Sequence, residues 1–83
     1  MAKLFSVKIL TPQNKIYEGE VSSLVVPAEL GYLGVLANHA PLASLLTPGK
    51  IMLKDASGET KTIVSQDKGF LEVFHNRVTL LLG

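Results

Sequence analysis

The sequence predicts an all-β fold in which short antiparallel strands pack as a sandwich or close into a barrel. Apolar and polar residues alternate at the start of the chain, which is the pattern of a strand with one buried face. Glycine, proline, asparagine and aspartate interrupt the apolar segments at close intervals, as they do in turns. The best helix candidate, residues 37–46, contains Pro41, and a proline destabilises a helix interior by about 3 kcal/mol.

The first third of the chain carries three predicted strands. They cover residues 3–10, 16–20 and 21–26. In the first strand, Phe5, Val7 and Ile9 share one face, and the turn sequence TPQNK follows it. The third strand is rich in β-branched residues and is predicted to end at Pro27, because proline has no N–H to donate to a neighbouring strand.

Five further strands are predicted in the second half. They cover residues 42–46, 50–54, 59–64, 70–74 and 77–82. The sequence DASG joins the second and third of these, and HN joins the last two, so both pairs are predicted to be β-hairpins. The intervening sequence GYLGVLANHAPL places two glycines, a histidine and a proline among apolar residues. It is predicted to be a strand edge shaped to fit another protein, because glycine permits close backbone approach and proline belongs at an edge.

Length and composition limit the possible functions. Eighty-three residues predict one domain, residues 1–83, because two separate cores would each be too small. The chain has no cysteine and a formal charge of +1, which argues against a nucleic-acid binder. It shows no secretory signal and no apolar run of about 20 residues, so a cytoplasmic chain without membrane insertion is expected. Only 18% of residues are charged and 47% are hydrophobic, which favours an exposed apolar surface for a protein partner.

No motif predicts catalysis, a cofactor or a metal. Gly31 and Gly34 lack the third glycine and the helix of a dinucleotide-binding turn. The sequence PGKI at residues 48–51 lacks the upstream glycine and the following hydroxyl residue of a phosphate loop. His39 and His75 have no nucleophile motif nearby and no cysteine to complete a zinc site. The chain is therefore predicted not to be an enzyme and to have no small-molecule substrate of its own.

One alternative is a carrier domain. In the sequence SQDKGFLEV, Lys68 follows Asp67 just before a predicted strand. This short segment resembles lipoyl and biotinyl carrier domains, which are β-sandwiches that present a lysine in such a turn. The alternative implies that Lys68 is the acceptor for a lipoyl or biotinyl group.

A longer resemblance is to the epsilon subunit of rotary ATP synthases. LGYLGVLANHAPLASLLTPGKI resembles that family's signature region. The matching positions are Gly31, Gly34, His39, Ala40, Pro41, Leu42, Pro48 and Gly49. The resemblance extends to IYEGEVSSLVVPA before this region and to GFLEVFHNRVTLL after it, so that it runs from about residue 5 to residue 82.

The resemblance implies a flattened sandwich of about ten short strands on the central stalk of the ATP synthase. It implies a rotor subunit that binds the gamma subunit and the ring of c subunits, without catalytic residues or cofactors. The complex couples a proton or sodium gradient to ATP synthesis, and this subunit is peripheral, on the cytoplasmic face of the bacterial plasma membrane. The implied gamma-facing residues are Thr11, His39, Leu42 and Ser44. The implied loop facing the c-ring contains Glu29, Gly31, Tyr32 and Leu33.

The chain departs from the family pattern at two places within the signature region. Tyr32 stands where the family often has glutamate, so the acidic contact to the ring does not carry over directly, and Glu29 is the nearest substitute. Ala37 and Asn38 stand where the family commonly has proline and glycine. Asparagine tolerates a left-handed backbone better than most residues, so the turn is expected to survive.

The third departure is length. Most members of the family continue from the sandwich into two C-terminal helices that can restrain ATP hydrolysis, whereas this sequence ends at Gly83. The sequence is that of a naturally short member or of a shortened chain. Its expected role is to support coupling without inhibition by a helical hairpin.

Overall fold

Eight strands account for most of the chain. The computed structural model describes residues 3–83. The strands are β1 (Phe5–Leu10), β2 (Lys15–Ala28), β3 (Gly31–Leu36), β4 (Leu42–Leu46), β5 (Gly49–Asp55), β6 (Thr60–Ser65), β7 (Gly69–Phe74) and β8 (Arg77–Leu82). None of the described residues is helical, so no helix there could cross a membrane. The two predicted hairpins are confirmed as β5–β6 and β7–β8.

Strand β2 is longer than predicted. The prediction that one strand ends before Val21 and another ends at Pro27 is wrong, because both segments belong to a single strand of 14 residues. Ser22 is an extra residue in the pairing with β5 and marks a bulge, which lets the strand bend. The strand accommodates Pro27 because only its carbonyl oxygen is used, which accepts a hydrogen bond from the Thr47 N–H at 2.9 Å. The N–H that proline lacks is not required for this bond.

The bent strand belongs to both layers of a sandwich. Its first half pairs with β1, in a layer that continues through β8 and β7 to β4. Its second half lies between β3 and β5, and β6 completes this second layer. The β-sandwich fold is therefore confirmed, with two differences of detail. There are eight strands rather than about ten, and β1 pairs with β8 in parallel while the other pairs are antiparallel.

The core lies between the two layers. The predicted buried face of β1 is confirmed, since Phe5, Val7 and Ile9 are almost completely buried. The other buried apolar side chains are Val21, Leu24, Val26, Val35, Leu46, Ile51, Leu53, Leu71, Val73, Val78, Leu80 and Leu82. Within residues 3–83, every buried side-chain nitrogen or oxygen atom has a hydrogen-bond partner. The buried apolar side chains all lie on strands, so the core is formed by the inward-facing residues of the two layers.

Polar side chains stabilise the turn of the β5–β6 hairpin. The Asp55 carboxylate accepts hydrogen bonds from the Ser57 hydroxyl at 2.6 Å and from the Glu59 N–H at 3.0 Å. These bonds favour the charged carboxylate and lower the pKa of Asp55. The sequence DASG forms a turn because the Asp55 carboxylate accepts hydrogen bonds from backbone N–H groups of the turn.

Candidate functional site

The site begins at the tip of the β2–β3 hairpin. Ala28 pairs with Gly31, so that only Glu29 and Leu30 form the connection. Leu30 is fully exposed, at 100%, and Gly31 has a φ of 124° that few other residues adopt. The prediction of a ring-facing loop is therefore only partly correct, because Glu29 lies in the connection whereas Gly31, Tyr32 and Leu33 belong to β3. The most exposed side chain of the tip is Leu30, a residue that the sequence reasoning missed.

Tyr32 lies beside this tip and is anchored by its hydroxyl, although it is 59% exposed. Tyr32 lies on β3 opposite Pro27. Its hydroxyl accepts a hydrogen bond from the Lys50 N–H on β5 at 3.2 Å. Gly49 makes room for this arrangement, because a Cβ there would lie 2.9 Å from Pro27 Cβ and 3.0 Å from the Tyr32 hydroxyl oxygen. The hydroxyl of Tyr32 is therefore held against β5 of its own chain.

We expect Tyr32→Phe to loosen this contact without unfolding the chain. The lost hydrogen bond contributes roughly 0.5–1.5 kcal/mol, and the Lys50 amide should exchange its hydrogen faster with solvent. Hydrogen exchange followed by NMR measures this, with the Val26 amide as an internal reference inside the sheet. Unchanged exchange at Lys50 would contradict the docked position of the tyrosine.

A groove connects the hairpin tip with β4. Its volume is about 400 Å³, and ten residues line it, from Ala28 to Leu33 and from Leu42 to Leu45. The predicted ring-facing residues Glu29, Gly31, Tyr32 and Leu33 therefore lie in one groove with two of the predicted gamma-facing residues, Leu42 and Ser44. The sequence reasoning treated these as two separate surfaces, and the structure makes them continuous.

Strand β4 has an inner and an outer side at this groove. Leu42 is half-buried and packs against the core, and the Ser44 hydroxyl donates to the carbonyl of Leu45 at 3.2 Å. Ala43 and Leu45 alternate with them on the outer side, where Leu45 is 53% exposed. Leu45 is a second residue that the sequence reasoning missed, although the alternation in LASLL could have indicated it.

His39 lies at one end of the sandwich, in a shallow depression of about 450 Å³ lined also by Asn38, Pro41, His75 and Asn76. Its Nδ1 is 2.7 Å from the carbonyl oxygen of Ala40, a contact in which the ring nitrogen donates because a carbonyl oxygen only accepts. Among residues 3–83, no group of three or more histidine, cysteine, aspartate or glutamate side chains is arranged to hold a metal ion. The depression is thus a polar surface near the groove.

Two asparagines shape this end of the sandwich. Asn38 has a φ of 63° and Asn76 a φ of 58°, so the expected left-handed turn at Asn38 is confirmed. The Asn76 side-chain amide donates to the Asn38 side-chain oxygen at 3.1 Å. This bond ties the β3–β4 connection to the β7–β8 turn.

Thr11 lies at the opposite end of the first layer. The Ser6 N–H bonds to the Asn76 carbonyl beside the histidine end, and Thr11 lies five residues later, directly after the end of β1. At roughly 3.3 Å per residue this is about 16 Å. The structure therefore brings Leu42 and Ser44 together with the hairpin tip, and it separates Thr11 from the end of the sandwich that carries His39.

Lys68 lies in the exposed turn between β6 and β7. The Ser65 hydroxyl accepts a hydrogen bond from the Asp67 N–H at 3.2 Å, and the Lys68 carbonyl accepts one from the Gly83 N–H at 2.9 Å. These contacts explain the sequence Asp-Lys-Gly as turn chemistry.

A model of the ATP synthase delta/epsilon chain β-sandwich domain matches residues 4–82. The chain belongs to this family. The predicted resemblance is thereby confirmed over nearly the whole chain. The carrier alternative at Lys68 is set aside, because the family match covers that segment as well.

Individual members of the family are similar along the same stretch. The ATP synthase epsilon chain of Leptospira borgpetersenii is 40% identical over 80 residues, which cover 96% of this chain and 61% of that protein. The epsilon chain of Dichelobacter nodosus is 39% identical over 83 residues, which cover 100% of this chain and 57% of that protein. This chain thus spans about six-tenths of the length of these relatives.

Solved structures share the fold. A chain in the mitochondrial ATP synthase of Euglena gracilis, solved with OSCP, F1 and the c-ring, has a TM-score of 0.87 at 21% identity and covers 95% of this chain and 50% of its own length. A chain in the central stalk and c-ring of the Tetrahymena thermophila enzyme has a TM-score of 0.76 at 14% identity and covers 98% of this chain and 64% of its own length. At these identities the similarity establishes the sandwich architecture.

Proposed function

We propose that this chain is a rotor component of the ATP synthase central stalk that binds the gamma subunit and the c-ring. The match of residues 4–82 to the delta/epsilon sandwich family carries this proposal. In this role the chain forms one sandwich domain over residues 1–83, has no catalytic residue of its own, and supports the coupling of proton or sodium flow to ATP synthesis. It is peripheral, on the cytoplasmic face of the bacterial plasma membrane.

The groove and its rim supply the two contact surfaces. Leu45, with Ala43 beside it, presents an uncharged surface to gamma. The hairpin tip presents Leu30 to the c-ring, with Glu29 as its charged neighbour. Because Tyr32 is bonded to Lys50, the contact with the ring is made mainly by Leu30 instead of an acidic side chain at position 32.

Gamma binding is tested with a variant that leaves the core intact. Leu42→Asp is unsuitable, because Leu42 packs against the core. We expect Leu45→Asp to weaken binding of gamma from the same organism by about 10- to 100-fold, since burying a leucine contributes roughly 1.5–3 kcal/mol and each 1.4 kcal/mol is a factor of ten. Calorimetric titration measures the affinity.

The matched control is Val64→Asp. Val64 is also an exposed aliphatic strand residue, at 61%, but it lies on β6, outside the groove. This control should bind gamma as the unchanged chain does. No binding of the unchanged chain to gamma, or equal losses in the two variants, would contradict the proposal.

Coupling is measured in the same reconstituted system. Vesicles that contain the complete complex should make ATP from an ion gradient only when this chain is present. Residues 3–83 contain no helix, so this stretch should leave ATP hydrolysis by the catalytic head and gamma nearly unchanged. A drop of several-fold in hydrolysis would mean that the sandwich itself inhibits.

A further inference from the structure

The outer edge of β4 is open between the two layers. Strand β4 pairs with β7 along its whole length, but on its other side it meets β2 only at Leu46, opposite Ala28. The Leu45 carbonyl accepts a hydrogen bond from the Glu29 N–H at 3.1 Å, so the backbone of Leu45 faces away from β7. In an extended strand, alternate residues face the same neighbour. Ala43 therefore directs its N–H and C=O into the groove.

No residue between 3 and 83 provides a partner for these two backbone groups of Ala43. A row of free donors and acceptors on a strand edge is a template for another strand, and proteins usually block such edges with charged side chains or proline. Strand β4, with the sequence LASLL, has no charged residue. The open edge of β6, by contrast, carries Lys61.

The walls of the groove match the chemistry of this edge. Leu33 and Leu45 are apolar, and Glu29 is the one ionisable carboxylate among the groove residues. An occupant beside β4 would thus offer backbone hydrogen bonds to Ala43 and uncharged side chains to these leucines. Strand addition at a sheet edge uses this combination, in which the main chain supplies affinity and the side chains supply specificity.

We propose that β4 binds an extended, uncharged segment of the gamma subunit as an added strand, with Ala43 N–H and C=O as its central hydrogen-bonding pair. The inference rests on the proposed function, because gamma is the partner assigned there to this groove. It adds the mode of binding. Gamma contributes a strand to the first layer of the sandwich, and contact is made through the backbone as well as through Leu45.

Proline at position 43 tests this mode. Proline removes the N–H and is tolerated at an edge where that N–H faces away from the sheet. We expect Ala43→Pro to fold and to bind gamma at least tenfold more weakly, while Ala43→Ser binds normally. The Asp55 N–H bonds to the Glu59 carbonyl, so by alternation Thr62 faces the open edge of β6. Thr62→Pro is therefore the matched edge control and should bind gamma normally.

Hydrogen exchange gives a second readout that needs no variant. The Ala43 amide should exchange rapidly in the free chain and become protected in the complex with gamma. This measurement decides the question if Ala43→Pro does not fold. Persistent fast exchange at Ala43 in the complex, or normal gamma binding by folded Ala43→Pro, would overturn the strand-addition mode.

The same experiments separate this inference from the proposed function. If the unchanged chain does not bind gamma, the proposed function fails. If Leu45→Asp weakens binding and folded Ala43→Pro does not, only the strand-addition mode fails. A concentration-dependent dimer of the unchanged chain that Ala43→Pro abolishes, seen by sedimentation, would assign the edge to a second copy and would also overturn the inference.

Discussion

Replacing Gly69 by alanine is expected to destabilise the chain by about 3 kcal/mol or more, at the upper end for an overpacked site. Gly69 begins β7 opposite Leu82 on β8. An added Cβ would overlap the backbone carbonyl oxygen of Leu81 and would lie 3.0 Å from Leu82 Cδ2. Backbone cannot rotate aside as a side chain can, so β7 would have to move away from β8. The hydrogen bond from the Gly83 N–H to the Lys68 carbonyl would then be strained.

Urea denaturation measures this effect, and Gly34→Ala is its matched control. Gly34 lies within β3, and an added Cβ there would meet nothing within 4 Å. Because glycine in a strand is less stable than alanine by roughly 0.5–1 kcal/mol, Gly34→Ala should keep or slightly raise stability. A Gly69→Ala variant within about 1 kcal/mol of the unchanged chain would show that the two strands can separate at little cost.

Leu80→Ala is expected to cost about 3–4 kcal/mol, within the range for deleting a buried leucine side chain. Leu80 lies in the centre of the inner row of the first layer, where it pairs with Leu71 on β7 and with Ile9 on β1. All three side chains are 0% exposed. The two neighbouring strands hold the site open, so the cavity cannot collapse easily.

The adjacent residue provides the control for this second prediction. Leu81 points to the outer face of the same strand and is 49% exposed. Leu81→Ala should therefore cost less than about 1 kcal/mol, because little apolar surface is removed from the interior. Equal losses of stability for the two variants in thermal or urea unfolding would contradict the assignment of inner and outer faces on β8.

Local sequence patterns predicted most of the strands and several turns. The alternation of Phe5, Val7 and Ile9 placed them correctly in the core, because a strand turns successive side chains to opposite faces. Asn38 adopts the left-handed conformation expected of it, because asparagine tolerates that region. These features depend on a few neighbouring residues, so sequence alone was sufficient for them.

Features that depend on distant pairings were not predictable in this way. Pro27 was predicted to end a strand, yet β2 continues through it, because the carbonyl of Pro27 finds a donor at Thr47, twenty residues away. Leu30 and Leu45 were not recognised as exposed apolar residues beside the groove. Their exposure depends on how the hairpin tip and β4 meet across the groove.

Local sequence patterns and the family resemblance were enough to predict the β-sandwich class, the buried face of β1, several turns and the family to which the chain belongs. The folded structure was needed to show that β2 is shared by both layers and that β1 and β8 run in parallel. It alone joined the predicted ring-facing loop to Leu42 and Ser44 and left Ala43 at an open edge. This division arises because side-chain alternation and turn preference are local properties, whereas strand order is set by how two curved layers cover one core.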